Sequence, residues 1–274
     1  MAAAPGKAGL GEHGSWDWRQ QKQPSSADKD GDGDESQKQY APAASRNEGP
    51  ILAALTEQLM RAAAEDDEGE SDTPRCLLEV ACGTGQHAAA FSRALIASAG
   101  DGSGLLDTYA PTDLAGANSF ASVRAHARGV PGLLPPRCLD VSLPPESWFD
   151  QQDPPPPLPL RAVLAVNLTH ISPWEATLGL LRGAAHYLHP VRGRLMIYGP
   201  FTRRGGEHVG EGDGNARFDA ALRAQDASWG YRDVERDVAP AAAAAGLELV
   251  DIKEMPANNL FLVFRRKRGK GEGV

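Results

Sequence analysis

The chain has 274 residues, enough to bury a large core, with a formal net charge of −8 and three cysteines. That charge gives no attractive field for nucleic acid, and Cys76, Cys82 and Cys138 sit in apolar contexts that make no disulfide framework. No apolar run reaches membrane-spanning length and no charged-then-apolar leader opens the chain, so a soluble, cytoplasmic protein is expected.

Residues 1–39 are rich in Gly, Ser, Gln, Asp and Lys, a composition that predicts a disordered polar tail. Within it, Asp28-Lys29-Asp30-Gly31-Asp32-Gly33 opens like a calcium-binding loop. The twelfth position of that loop is Gln39 instead of a bidentate Glu, and the flanks are not amphipathic, so it reads as a solvated linker. One domain is expected over 40–268, with loop insertions at 61–74, 97–107, 150–160 and 202–214, then a flexible end at 269–274.

Ile51, Leu52, Leu55 and Leu59 fall at helical spacing and predict a helix over Asn47–Met60, with Pro50 in its first turn. The preceding Ser45-Arg46-Asn47-Glu48 is a cap or a ligand-facing corner.

Cys76–Val80 then reads as a buried strand that ends in the turn Ala81-Cys82-Gly83-Thr84-Gly85 and enters a helix from Gln86 and His87. Such a turn brings backbone N–H groups close to a ligand. Gly83 to Ala88 also fits the dinucleotide fingerprint, though a single match of that kind is weak. Glu79 separates the two ligand classes. A carboxylate ahead of the glycines repels a pyrophosphate and attracts a cationic, phosphate-free cofactor, so the turn is read as a site for S-adenosylmethionine (SAM). An ordinary strand-to-helix turn is the alternative.

Thr108–Asp113 reads as a second strand ending in an acid that can accept both ribose hydroxyls, with Leu114 beside it also assigned to the cofactor; a capping aspartate is the alternative. After a helix over Ser119–Ala127, Pro136–Val141 reads as a third strand. Asp140 there could accept the adenine amino group and Val141 could donate its N–H, or Asp140 is a plain turn residue. The prolines between Asp153 and Pro159 predict a stiff extended spacer.

Arg161–Asn167 is a fourth, buried strand that delivers Asn167-Leu168-Thr169-His170 to the carboxyl edge of the sheet, where open α/β sheets bind ligands. Asn167 could bond an amine or amide. His170 is a general-base candidate or a structural histidine. A helix follows from Pro173 and Trp174 through Leu188; His186 and His189 lack a third ligand, so no metal is expected. Gly193–Phe201 is the fifth strand and its exit, and the glycines and charge from Thr202 to Gly214 suggest a mobile loop, with a lid as one reading. A short helix over Asn215–Arg223, a helix from Val238 to Ala245, and strands at Leu247–Met255 and Leu260–Phe264 complete the domain. Arg265–Arg268 reads as a solvated end, with a nuclear signal as the alternative.

Taken together, Ser45–Ile51, Glu79–His87, Asn167–Trp174 and Tyr198–Phe201 resemble the methyltransferase-like protein 26 family. So do Phe218-Asp219, Trp229-Gly230 with Arg232-Asp233, and Met255–Asn259; the resemblance runs from about Tyr40 to Arg266. It implies a Rossmann-like class I methyltransferase fold: an α/β sheet of seven strands in the order 3-2-1-4-5-7-6, mostly parallel, the last strand antiparallel, with helices on both faces. It implies SAM across the first, second and fourth strands, held by Glu79, Ala81, Gly83, Gly85, Gln86, His87, Asp113, Leu114, Asp140, Val141, Asn167, Arg46 and Asn47. His170, Asn167 and Tyr198 would be the catalytic candidates, and Trp174, Asn258 and Asn259 would border the acceptor. The chain lacks the Asp/Asn-Pro-Pro-Tyr tetrapeptide of amino-group nucleic-acid methyltransferases, which with the acidic charge favours a small molecule or protein side chain as acceptor. Binding of SAM or a nucleoside without transfer, as an interaction partner, is the second reading; a nicotinamide-dependent oxidoreductase is the third, disfavoured by Glu79.

Overall fold

Continuous apolar runs survive only as strands covered on both faces, and the centre of this sheet is built from three of them. In a computed structural model, which describes residues 35–65, 73–96, 104–114, 119–150 and 154–268, β1 (Cys76–Val80), β4 (Ala162–Val166) and β5 (Arg194–Gly199) are buried almost throughout. With β2 (Thr108–Asp113), β3 (Arg137–Cys138), β8 (Leu247–Met255) and β9 (Asn259–Arg266) they form a seven-stranded sheet ordered β3-β2-β1-β4-β5-β9-β8. All pairs out to β5 are parallel; β9 runs antiparallel to β5 and to β8. A separate two-stranded hairpin pairs β6 (Thr202–Arg203) with β7 (Glu207–His208).

Alternation along the strands sends side chains to two apolar layers. Leu77, Leu164, Met196, Phe261 and Val263 pack against α1 (Pro42–Ala64) and α2 (Gln86–Leu95). Leu78, Val163, Ile197, Leu262 and Phe264 pack beneath α4 (Trp174–Tyr187) and α6 (Ala239–Ala244). α3 (Ser119–Ala127) lies against α2, and α5 (Gly214–Gln225) carries Leu222 into a small satellite cluster with Trp229 and Tyr231. Among the described residues no helix is long and apolar enough to cross a membrane.

The structure redraws several expected boundaries. α1 begins at Pro42 and runs to Ala64, so Pro50 is interior and the insertion expected from residue 61 starts later. Pro50 has no N–H to give the Arg46 carbonyl, so one helical bond is missing there within a continuous helix. Its second half is anchored by buried Ile51, Leu55 and Leu59; its first half buries only Ala44 and Asn47. Residues 35–39, expected in the disordered tail, include a helical turn at Glu35–Gln37, and the Gln39 N–H donates to Ser122 Oγ at 2.9 Å. The expected surface loop before β2 closes on Leu106, which is buried and bridges Ile96. The mobile loop expected at 202–214 contains the β6–β7 hairpin and leads into α5. Buried Asp233 holds it, accepting the N–H groups of Gly205 and Gly206 at 2.8 Å each. The helix expected from Val238 is preceded by a π-helical turn over Val234–Val238, capped by the same Asp233. Arg265, Arg266 and Lys267 are not a free solvated end: they bond Glu248, the Leu188 carbonyl and the Ala243 carbonyl. The calcium-like run at Asp28–Gly33, the acidic residues 66–72 and the end at 269–274 lie outside the described residues.

β8 is an outer strand, and its pairing with β9 slips between Leu249 and Asp251, leaving Val250 on a bulge. Asp251 and Lys253 on this strand are tied to α1 through Gln58 Nε2 at 3.0 Å and Glu57 at 2.7 Å.

Candidate cofactor and acceptor site

The turn after β1 demands unusual backbone angles. Ala81, Gly83 and Gly85 all have positive φ, at 57°, 55° and 84°. A Cβ on Gly85 would lie 2.7 Å from Val123 Cα, so glycine is required there for α3 to pack. Gly83 differs: a Cβ there would meet nothing within 4 Å, which leaves its backbone open to an approaching group. Asp113, at the carboxyl end of β2, accepts the Gly83 N–H at 2.9 Å and the Leu114 N–H at 2.8 Å. Burial holds this carboxyl above its usual range, against those two bonds. Leu114 is 54 % exposed beside it, an apolar side chain with one face uncovered. Ser122 Oγ donates to the Thr84 carbonyl at 2.8 Å and fixes the turn from the α3 side.

Glu79 departs from the sequence reading. It lies inside β1, only 1 % exposed, and its Oε2 accepts the Tyr109 hydroxyl at 3.0 Å. Burial pushes its carboxyl up to about 8, with the Asp113 charge acting in the same direction. At neutral pH it is a protonated group beneath the turn and does not present the free carboxylate on which the electrostatic argument for a cationic cofactor rested. Tyr109, which sequence reasoning left out of the site, is its partner; in the sequence its hydroxyl is one of several polar groups in a strand that also carries Thr108, Thr112 and Asp113.

Residues Gln39–Asn47 cross over α2 and α3 and are held by polar contacts. Gln86 Oε1 accepts the Ala41 N–H at 2.5 Å and the Thr84 hydroxyl at 3.1 Å, and Gln86 Nε2 donates to Ser45 Oγ at 3.3 Å. His126 Nε2 is 2.9 Å from the Gln39 carbonyl. Asn47 is buried and joins two further elements: its Oδ1 is 2.8 Å from His87 Nε2, and its side chain bonds the Tyr198 hydroxyl. Burial lowers His87 to about 4, the Ala44 carbonyl pulling the other way, so the ring is neutral. Arg46, next to Asn47, is exposed. Gln86, His87 and Asn47 therefore brace the glycine turn from above.

At the carboxyl edge, Asn167 follows β4 directly with a φ of 57°, and its N–H donates to the Tyr198 carbonyl at 2.8 Å. His170 is 5 % exposed, and its Nδ1 has no hydrogen-bond partner. Its ring centroid lies 6.2 Å from those of Phe218 and Tyr231. Burial lowers its proton affinity to a pKa of about 3; the nearby Arg232 charge adds to this and Asp219 opposes it. His170 is thus neutral and a weak base. Burial raises the Tyr198 hydroxyl, which is engaged with Asn47. A Cβ placed on Gly199 would sit 3.5 Å from His170 Nδ1 and 3.8 Å from Asn167 Oδ1, so these two atoms flank that glycine.

The remaining expected residues divide. Asp140 lies past the end of a shorter β3 and caps a turn, accepting the Ser142 N–H at 2.9 Å and the Ser142 hydroxyl at 2.6 Å. Val141 is buried in the apolar layer beneath α4. Trp174 starts α4 with the Arg232 guanidinium 5.6 Å from its ring centroid. Asn259 Nδ2 donates to the Pro256 and Ala257 carbonyls, so its side chain is spent within its own turn. Asn258 instead reaches toward Gly210, where a Cβ would lie 2.2 Å from its side chain. Asp219 enters the sequence reading only as part of a family-like motif, with no role in the site. It accepts the Tyr231 N–H at 2.8 Å and Arg223 Nε at 3.1 Å, docking α5 against the aromatic wall of His170. Its spacing to Arg223 is the signal available in sequence; the bond to Tyr231 has none.

Solved structures share this fold at low identity. SibL, an S-adenosylmethionine-dependent methyltransferase solved in its apo form, matches with a TM-score of 0.54 at 18 % identity over 82 % of this chain and 56 % of its own. TnmH matches with 0.51 at 21 % identity over 80 % and 57 %, and LepI in complex with SAM with 0.51 at 15 % over 75 % and 46 %. The chain spans about half the length of these proteins. The architecture is the Rossmann-like class I methyltransferase fold. Residues 38–266 match the model of one family, and by that match the chain belongs to DUF938, described as a protein of unknown function.

Proposed function

We propose that this protein binds SAM across Ala81–Gly85, Asp113, Leu114 and Asn167 and transfers its methyl group to an acceptor at the carboxyl edge of β4 and β5. The observation that carries this reading is the uncovered backbone of Gly83, held in place by the Asp113 carboxylate and bordered by exposed Leu114. These groups suit an uncharged nucleoside: a carboxylate for ribose hydroxyls, an apolar side chain for adenine, open backbone for the amino-acid portion. Asp140 retains one carboxylate oxygen outside its turn for a polar base edge. The resemblance of the site motifs to the methyltransferase-like protein 26 family supports the same cofactor. When bound, SAM supplies an electrophilic methyl on a sulfonium; the protein's part is alignment of the acceptor in line with it. The acceptor is a small molecule or a protein side chain.

Calorimetric titration with SAM, S-adenosylhomocysteine and NAD tests the cofactor. Micromolar binding of the first two, none of NAD, and at least tenfold weaker binding by Asp113→Ala are expected, a charge-assisted bond being worth roughly 1.5–3 kcal/mol. Silence for all three ligands would make the turn architectural. Binding without methyl transfer to any acceptor would leave a SAM-binding interaction partner.

A further inference from the structure

Two guanidinium groups flank the carboxyl edge of β4 and β5, and among the described residues neither has a carboxylate partner. Arg46, on the α1 side, is exposed and forms no hydrogen bond or ion pair with any described residue. Its place is set through its neighbour. Asn47 is buried between His87 Nε2, at 2.8 Å, and the Tyr198 hydroxyl, and the Arg46 charge acts on that same hydroxyl at the end of β5. Arg232, on the α4 side, directs Nε and Nη2 to the carbonyls of Thr169, Ser172 and Ser228 and lies over the Trp174 ring. Asp219, the acid that acts on His170, is occupied by Arg223, His208 and the Tyr231 N–H. In a chain of net charge −8, this edge is locally cationic.

We propose that the methyl acceptor is a carboxylate, held by Arg46 at this edge and converted to a methyl ester. The inference rests on the methyl-transfer reading. A guanidinium presents paired N–H donors that match the two oxygens of a carboxylate. A carboxylate is ionised at neutral pH, so its transfer needs no base. The edge offers none: His170 Nδ1 is sealed from solvent and its ring is neutral, and Tyr198 is bonded to Asn47. Alcohols, thiols and ammonium groups begin protonated. An uncharged amine needs no base at the outset, but it gives the Arg46 charge nothing to bind. In the transfer, a lone pair of one carboxylate oxygen forms the new O–C bond, and the pair of the broken C–S bond stays with sulfur. Anion and sulfonium are both neutralised, and no proton is released. That chemistry suits an edge that supplies cations and no base.

The test incubates the full chain and SAM, labelled by carbon-13 in its methyl group, with the small-molecule and protein fractions of a cell extract. A methyl ester is expected, recognised by its carbon shift and by release of labelled methanol in mild alkali. N-, S- or ether O-methyl product overturns the inference while sparing the methyl-transfer reading, and no enzyme-dependent product overturns both. Arg46→Gln, a change at an exposed position, should raise KM for the identified acid by roughly tenfold or more, and Arg46→Lys should recover part of that loss. Unchanged KM in Arg46→Gln would remove Arg46 from the acceptor. Calorimetry addresses the other carboxylate nearby: Arg46→Gln should bind S-adenosylhomocysteine as the wild-type chain does. Weaker binding by roughly tenfold would give the guanidinium to the cofactor and overturn the placement. Nitrogen-15 spectra provide a readout apart from turnover. The identified acid, and not its methyl ester, should shift Arg46 Nε; no shift would sink the assigned contact.

Discussion

A carboxyl group that keeps its proton at neutral pH marks how this fold departs from simple electrostatic expectation. Glu79, raised to about 8 in the folded chain, ionises near the ordinary glutamate value once unfolded, so between those two values the native state holds more protons. Stability attributable to this group is therefore complete below about pH 4.5 and drains away as pH rises toward 8, with a slope approaching ~1.4 kcal/mol per pH unit. Glu79→Gln, which keeps an acceptor for Tyr109, should flatten that slope in urea melts recorded from pH 5 to pH 8, and should change SAM affinity little. The two glycines of the turn should also separate. Gly85→Ala meets Val123 and a positive φ together, and should lower stability by more than ~1 kcal/mol. Gly83→Ala carries only the backbone strain, so thermal melting should show a smaller loss while calorimetry shows weakened SAM binding. The sequence marked these positions as a tight glycine turn after β1, because glycine, alanine and acid at fixed offsets are local features. It could not show that Glu79 lies under Tyr109, since that bond spans 30 residues.

At the scale of elements, α1 shows where sequence patterning stops being informative. Its apolar periodicity begins at Ile51, so the eight residues from Pro42 to Gly49 carry no helical stripe. They are held where Ser122, His126 and Gln86 bond the preceding Gln39 and Ala41 and where His87 bonds Asn47, contacts between residues about forty to ninety positions apart. Asn47→Ala removes the group that satisfies His87 and Tyr198 at once. A loss of about 1–3 kcal/mol is expected, together with faster amide exchange across residues 42–49 than across 51–64. Equal exchange in the two halves would show that the bond missing at Pro50 does not loosen the first half. The hairpin at 202–208 was illegible for the same reason: its glycines suggest freedom, and the carboxylate that removes that freedom belongs to Asp233. By contrast β1, β4 and β5 were readable almost to the residue, because burial on both faces writes itself into consecutive apolar side chains.

For the whole molecule, the last strand decides whether the others hold. β9 lies between β5 and β8, and Leu260 to Phe264 are buried in unbroken succession, facing the two apolar layers alternately. Five such side chains at ~1.5–3 kcal/mol each match the entire net stability of a typical domain, roughly 5–15 kcal/mol. A chain ending at Met255 should therefore show no cooperative melting transition by circular dichroism; a sharp transition would mean that β1 to β5 fold without their antiparallel partner. The closing of the sheet by β9 leaves β8 as an outer rim, and there the slip at Val250 has a consequence. A straight edge strand offers its unpaired N–H and C=O groups to any passing strand, whereas a bulge breaks their spacing and twists them out of line. With Asp251 and Lys253 fastened to α1 on the same strand, the rim is a poor template for recruiting another chain, so the sheet ends there and does not propagate into a fibre.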